Sequence, residues 1–118
     1  MFEVKRVEIL DSETESRLVK MLNTAFEDDF SDEDWEHTFG GYRFLGLLEG
    51  ELIAHGAIVP RKIFFDSQHL TVGYVEGVAV DPRYWRNGYG SSLMAAITKV
   101  CRENFEVSML STDEKAFY

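Results

Sequence analysis

Apolar residues along the chain alternate between strand-like and helix-like spacing. Phe2, Val4, Val7 and Ile9 alternate loosely with charged residues and predict a first strand over residues 2–10. Leu18, Met21, Leu22, Ala25 and Phe26 then recur at three- and four-residue steps, the period of a helix that buries one face. Ser12 to Glu15 precede them as a capping box. Gly40-Gly41 marks a turn, and three strands follow through tight connections: 42–48, 52–65 and 69–80. Pro60 interrupts the second of these, which marks an edge or a bulge. Gly77, beside Glu76, reads either as a bulge that opens the backbone to a ligand or as close packing on a neighbour. Asp81-Pro82 ends the run. A helix from Ser91 to about Asn104 places Leu93, Ile97 and Val100 on one face, and Val107 to Leu110 form a short strand. Ser111 to Glu114 are positioned to cap one more helix. Strands around a glycine-opened helix predict an α/β or α+β fold, in a single domain spanning 1–118.

The totals narrow the classes. Lys and Arg number 12 against 21 Asp and Glu, for a formal charge of −9, which argues against nucleic acid and suits a cationic ligand. The same charge also serves simple solubility. No apolar run is long enough for a membrane span, no leader pattern is present, and a cytoplasmic protein is expected. Cys101 is the one cysteine and falls among the apolar helix positions, so it is expected in the core. His37, His55 and His69 lack metal-ligand spacing, no G-x-S-x-G elbow exists, and neither a metal nor a covalent serine mechanism is expected.

Two stretches carry candidate chemistry. Glu27 to Glu36 holds seven acids in ten residues. Ser31 to Asp34 can cap a short helix bearing Trp35, where acids suit the dipole; Glu27 to Asp29 lie outside that explanation. A solvated charge run and a carboxylate pocket for a polyamine-like ligand both stand at this point. The second stretch is strand Val75 to Val80, turn, then Asn87-Gly88-Tyr89-Gly90 opening a helix. Glycines turn backbone N–H groups inward and the helix start adds partial positive charge, an arrangement suited to phosphate. A Rossmann fingerprint fails because Leu93 stands at the third glycine, and a Walker loop fails because Gly90-Ser91-Ser92 has no lysine.

Val78-Ala79-Val80 followed by Trp85-Arg86-Asn87-Gly88-Tyr89-Gly90 resembles the acetyl-CoA-binding motif of the GNAT N-acetyltransferase superfamily. Trp85 stands where arginine or glutamine is usual, and Arg86 at a commonly glycine position. Asp34 to Gly41, Gly73 to Val80, Asp11 to Thr14, Ala25-Phe26 with the acidic loop, and Leu52 to Ala57 further resemble the aminoglycoside 2'-N-acetyltransferases, from about residue 11 to the end. The resemblance implies the GNAT acyl-CoA N-acyltransferase fold, a mixed, mostly antiparallel sheet with helices on both faces. It implies acetyl-CoA as co-substrate, a small cationic amine as acceptor and no metal.

By the same resemblance Glu76 is the base, acting directly or through water, and also binds substrate. Asp29 and Asp34 line the amine pocket; Gly77 and Ser111 contact substrate. Val78, Ala79 and Val80 bond the pantetheine arm, and Trp85, Arg86, Asn87, Gly88, Tyr89 and Gly90 hold the pyrophosphate. Tyr118 returns a proton to the departing thiolate, although its spacing from Ser111 is shorter than in the relatives. Family members continue through two more strands, so the sheet is expected to lack its C-terminal strands, and a homodimer completing it is one expectation. Acetylation of another amine and a non-catalytic CoA-binding remnant are the alternatives.

Overall fold

The computed structural model describes residues 1–110. Strand β1 (Phe2–Val7) leads to helix α1 (Ser12–Ala25) and the short helix α2 (Asp32–Glu36). Strands β2 (Tyr42–Leu48), β3 (Glu51–Phe65) and β4 (Gln68–Val80) follow as a meander. Helix α3 (Tyr89–Asn104) then crosses to β5 (Ser108–Leu110). The sheet order is β1-β2-β3-β4-β5, antiparallel up to β4 and parallel between β4 and β5. The expected mixed, mostly antiparallel sheet is what forms.

Alternation along the strands supplies two cores. Phe44, Val78 and Val80 face α3 through Leu93, Ile97 and Cys101. Leu45 and Ala79, one residue along, face Leu18, Met21, Leu22 and Ala25 of α1. The helices therefore cover opposite faces, as expected, and Cys101 is buried core.

Local chemistry sets the element ends. The β3–β4 turn has Asp66 and Ser67 both at positive φ (50° and 62°), the geometry that matches strand twist in a two-residue hairpin. Asp11, not the expected box at Ser12, caps α1: its carboxylate accepts from Thr14 N at 2.8 Å. The first strand accordingly stops at Val7, short of the expected residue 10. The box forms instead on α2, where Ser31 and Asp34 exchange bonds between side chain and backbone. Pro60 pairs with Gly73 of β4, while the β2 register ends at Ile58. The proline therefore sits where β3 has become a local edge and no donor is missed. Among the described residues no helix is long and apolar enough to cross a membrane.

Candidate functional site

Strand β4 breaks its register where the glycine predicts. Ala57 faces Glu76, but His55 faces Ala79, so β4 spends one more residue than β3 across this interval. Gly77 takes φ +60°, a left-handed conformation that L side chains rarely adopt. A Cβ there would lie 3.0 Å from Thr38 Cγ2 and 3.3 Å from His55 Cε1. Beyond Val75, the described residues of β5 provide β4 with no partner. The bulge thus lies where the sheet opens.

Two arginines that sequence reasoning missed flank this bulge. Arg61, on the outer part of β3, donates from Nη2 to Glu76 Oε1 at 3.0 Å and to the His37 carbonyl at 3.3 Å. The Glu76 side chain is 21% exposed and that of Arg61 34%, so the pair is half in water. Arg61 also stacks over Tyr74, 5.4 Å from the ring centroid. Across β3 and on the same face, Arg43 of β2 is buried, with its guanidinium over the rings of Trp35 (4.8 Å) and Phe39 (4.5 Å). Its Nη1 donates to Thr38 Oγ1 at 3.1 Å and lies 2.8 Å from His55 Nε2, and Nη2 donates to the Thr38 carbonyl at 3.3 Å. Burial pulls the Arg43 pKa down, with Glu15 opposing. His55 is fully buried, and its Nδ1 lies 2.7 Å from the Gly77 carbonyl. Burial lowers its pKa to about 3; the bond to Gly77 opposes this and the Arg43 charge adds to it. A polar residue inside the apolar strands 42–48 and 52–59 was the available signal for Arg43 and His55. No signal in the sequence links Arg61 to Glu76, fifteen residues away.

The glycine loop is braced from within. Trp85 Nε1 donates to the Val80 carbonyl at 2.7 Å, tying the loop to the end of β4. Asn87 Nδ2 donates to the Tyr84 and Trp85 carbonyls at 2.9 and 3.1 Å, so its side chain closes the turn. Burial of Asp81 works against its ionisation, but the side-chain and backbone bonds from Arg83 outweigh it and hold the pKa below the usual value. Arg86 adopts φ 68° and Gly88 φ 81°, so Arg86 takes a glycine-like conformation at a cost of about 1–2 kcal/mol. Gly88 caps α3 with no side-chain bond, which leaves the first amides of the helix without an internal partner. Val80, Trp85, Arg86, Gly88, Tyr89 and Gly90 line a hollow of ≈ 250 Å³ there. A Cβ built at Gly88 meets nothing within 4 Å. Open space, unpartnered amides and a basic side chain fit a pyrophosphate.

Among the expected residues, then, Glu76 to Val80 lie on the bulged end of β4, and Trp85 to Gly90 continue from it. Ala79 turns its side chain toward α1, leaving only its backbone for a ligand. Asp34 spends its carboxylate on Ser31 N at 2.8 Å. Asp29 is exposed in the connection after α1, its N–H on the Phe26 carbonyl at 3.0 Å. Neither acid is bonded to Glu76 among the described residues. Ser111 and Tyr118 lie outside the described residues.

Comparison with known proteins decides the family. The acetyltransferase (GNAT) family model matches residues 7–118. The chain belongs to the GNAT acetyltransferase family. An aminoglycoside 2'-N-acetyltransferase of Mycolicibacterium fortuitum is 39% identical over 107 residues, covering 91% of this chain and 55% of that relative. The chain thus spans little more than half of that relative's length. Among solved GNAT-like structures, an aminoglycoside acetyltransferase from an uncultured soil metagenomic sample, in complex with sisomicin, superposes with a TM-score of 0.69. It is 24% identical, with 96% of this chain and 78% of that chain covered. A predicted acetyltransferase of Clostridium acetobutylicum, solved with acetyl-CoA, gives a TM-score of 0.73 at 14% identity over 98% and 84% of the two chains. These two likenesses establish the fold.

Proposed function

We propose that the chain carries the acetyl-CoA-dependent N-acetyltransferase activity of its family, with the 2'-amine of an aminoglycoside as acceptor. One observation carries the reading: a bulged β4 holds a half-buried carboxylate, Glu76, at the opened end of the sheet and runs directly into a glycine loop suited to pyrophosphate. Acetyl-CoA, when bound, supplies the activated acetyl group. Glu76 takes a proton from the acceptor ammonium, directly or through one water, and so frees its lone pair for the thioester carbonyl. The Val78 N–H donates to the developing oxyanion, and Tyr118 gives a proton to the sulfur as the C–S bond breaks.

The acidic connection supports a cationic acceptor. Glu27, Asp28 and Asp29 continue the last turn of α1, where the helix dipole is already negative, and that turn contains no basic residue. Glu27 and Asp28 both hold positive φ (55° and 66°). Acids placed against the dipole and on an unfavourable backbone weaken the helix end and strengthen its pull on cations. Asp29 belongs to this group, and Asp34 contributes from the start of α2 as field more than as a direct ligand.

The test is thiol release from acetyl-CoA with and without gentamicin or tobramycin. Aminoglycoside-dependent release supports the reading. Binding of acetyl-CoA with no release on these amines turns the assignment to another small amine, and no release across an amine panel turns it to a CoA-binding remnant. Glu76→Gln is expected to lower turnover about 100-fold or more while leaving acetyl-CoA affinity nearly intact. Equal turnover removes Glu76 as base. Gly88→Glu places bulk and negative charge in the hollow and is expected to abolish acetyl-CoA binding; unchanged binding sinks the loop assignment.

A further inference from the structure

We infer that His55 is a positioning residue for acetyl transfer, which sets the direction of the Val78 amide by gripping the Gly77 carbonyl and is itself oriented by Arg43. The inference rests on the acyl-transfer reading above and adds to it a buried residue on the same face of the sheet as Glu76.

The hydrogen inventory of this cluster has one solution. A guanidinium only donates, so the His55 Nε2 that lies 2.8 Å from Arg43 Nη1 is an unprotonated acceptor. The neutral ring therefore carries its hydrogen on Nδ1, which donates to the Gly77 carbonyl at 2.7 Å. The peptide from Gly77 to Val78 is planar and trans, as every peptide described here is. Its N–H points opposite to its C=O, so the histidine that draws the Gly77 oxygen inward directs the Val78 N–H away from itself. Gly77, at φ +60°, has the rotational freedom that would otherwise let this peptide turn. Without His55 the bulge has a mobile peptide at the position where the amide must aim.

Other uses of the ring fit less well. Both nitrogens are engaged and the ring is fully buried, so it has no free site for a metal or for a substrate proton. Arg43 extends the link: its remaining bonds go to the hydroxyl and carbonyl of Thr38, and Thr38 Oγ1 donates to the Trp35 carbonyl in α2 at 2.7 Å. The acidic helix α2 and the bulge of β4 thus share a single hub.

The experiment begins with nitrogen-15 NMR of the His55 ring in the wild-type chain. A protonated Nδ1 and bare Nε2 are expected; the opposite tautomer overturns the inference whatever the variants do. Turnover of His55→Leu and His55→Gln with acetyl-CoA and tobramycin follows. Leucine offers neither donor nor acceptor and is expected to lower kcat about 10- to 100-fold with both KM values within about threefold. Glutamine offers one of each and is expected to recover most of kcat. A histidine that only stabilises the fold gives equal kcat per folded molecule in both variants, and that result overturns the inference. Should the wild type release no CoA, the functional reading fails and the Val78 amide resonance decides. A shift in His55→Leu that His55→Gln reverses supports the inference, and an unmoved resonance overturns it. Should the leucine variant not fold, the wild-type tautomer still decides.

Discussion

Arg43 and Arg61 lie on one face of the sheet, Arg43 on its dry inner side and Arg61 on its wetter outer side, and the contrast between them describes the site. Arg43 is 7% exposed, and its partners are a hydroxyl, a carbonyl, a neutral imidazole and two aromatic faces. Arg61 is half in water and reaches a carboxylate and a carbonyl. Where water is excluded, every donor and acceptor must find a fixed partner, because an unmade hydrogen bond is expensive there. Arg43 consequently acts as a structural hub. Where water enters, an ion pair exchanges readily with other cations and contributes little net stability. Arg61 therefore holds Glu76 by an exchangeable pair, which under the proposed function a substrate ammonium would replace.

The largest expected effect belongs to the dry side and appears as pH dependence. Folded His55 titrates near 3 against about 6.5 when unfolded, so between these values the unfolded chain binds the extra proton. Stability is then complete above about pH 6.5 and falls as pH drops, by about 1.4 kcal/mol per unit down to about pH 3. Asp81, with its depressed pKa, adds loss in the same direction only below its unfolded value of 3.8. Urea melts of wild type and His55→Gln from pH 7 to 4 check this, and the variant is expected to lack the slope. Arg43→Met comes next. It strands the His55 Nε2 and Thr38 carbonyl acceptors in the interior and is expected to lower stability by about 2–4 kcal/mol, read by the same melts at pH 7. Arg61→Gln is the smallest. It removes a competitor for Glu76 and is expected to leave stability within about 1 kcal/mol and to lower KM for an aminoglycoside by fivefold or less. A large stability loss in Arg61→Gln, or none in Arg43→Met, would erase the distinction between the two sides.

Much of this arrangement was legible beforehand. Gly77 was legible as either a bulge or a close approach, and the structure shows both in one residue, while Ser31 with Asp34 was legible as a candidate α2 cap because both bonds are local. The α1 cap falls one residue before the expected box, since Asp11 and Ser12 each suit the role and it is the Asp11 carboxylate that accepts from Thr14 N. Pro60 was legible as marking an edge or a bulge, but the choice of edge, through a β2 register that ends at Ile58, depends on a different strand. Among the candidate acids, Asp34 carried both a cap and a substrate reading, and its carboxylate accepts from Ser31 N at the start of its own helix.

By itself the sequence determined what is carried by neighbours along the chain. That includes the alternation of the strands, the apolar faces of α1 and α3, the hairpin turns, and the strand–glycine loop–helix unit that places Glu76 and the glycine-loop hollow in one continuous stretch. Tertiary structure alone decided what crosses between strands. It brought Arg61 to Glu76, Arg43 to His55 and His55 to the Gly77 carbonyl, pairings separated by 15, 12 and 22 residues. The physical reason is that periodicity reports which face a side chain takes, whereas a hydrogen bond between strands requires register, and register follows from the packing of the whole sheet.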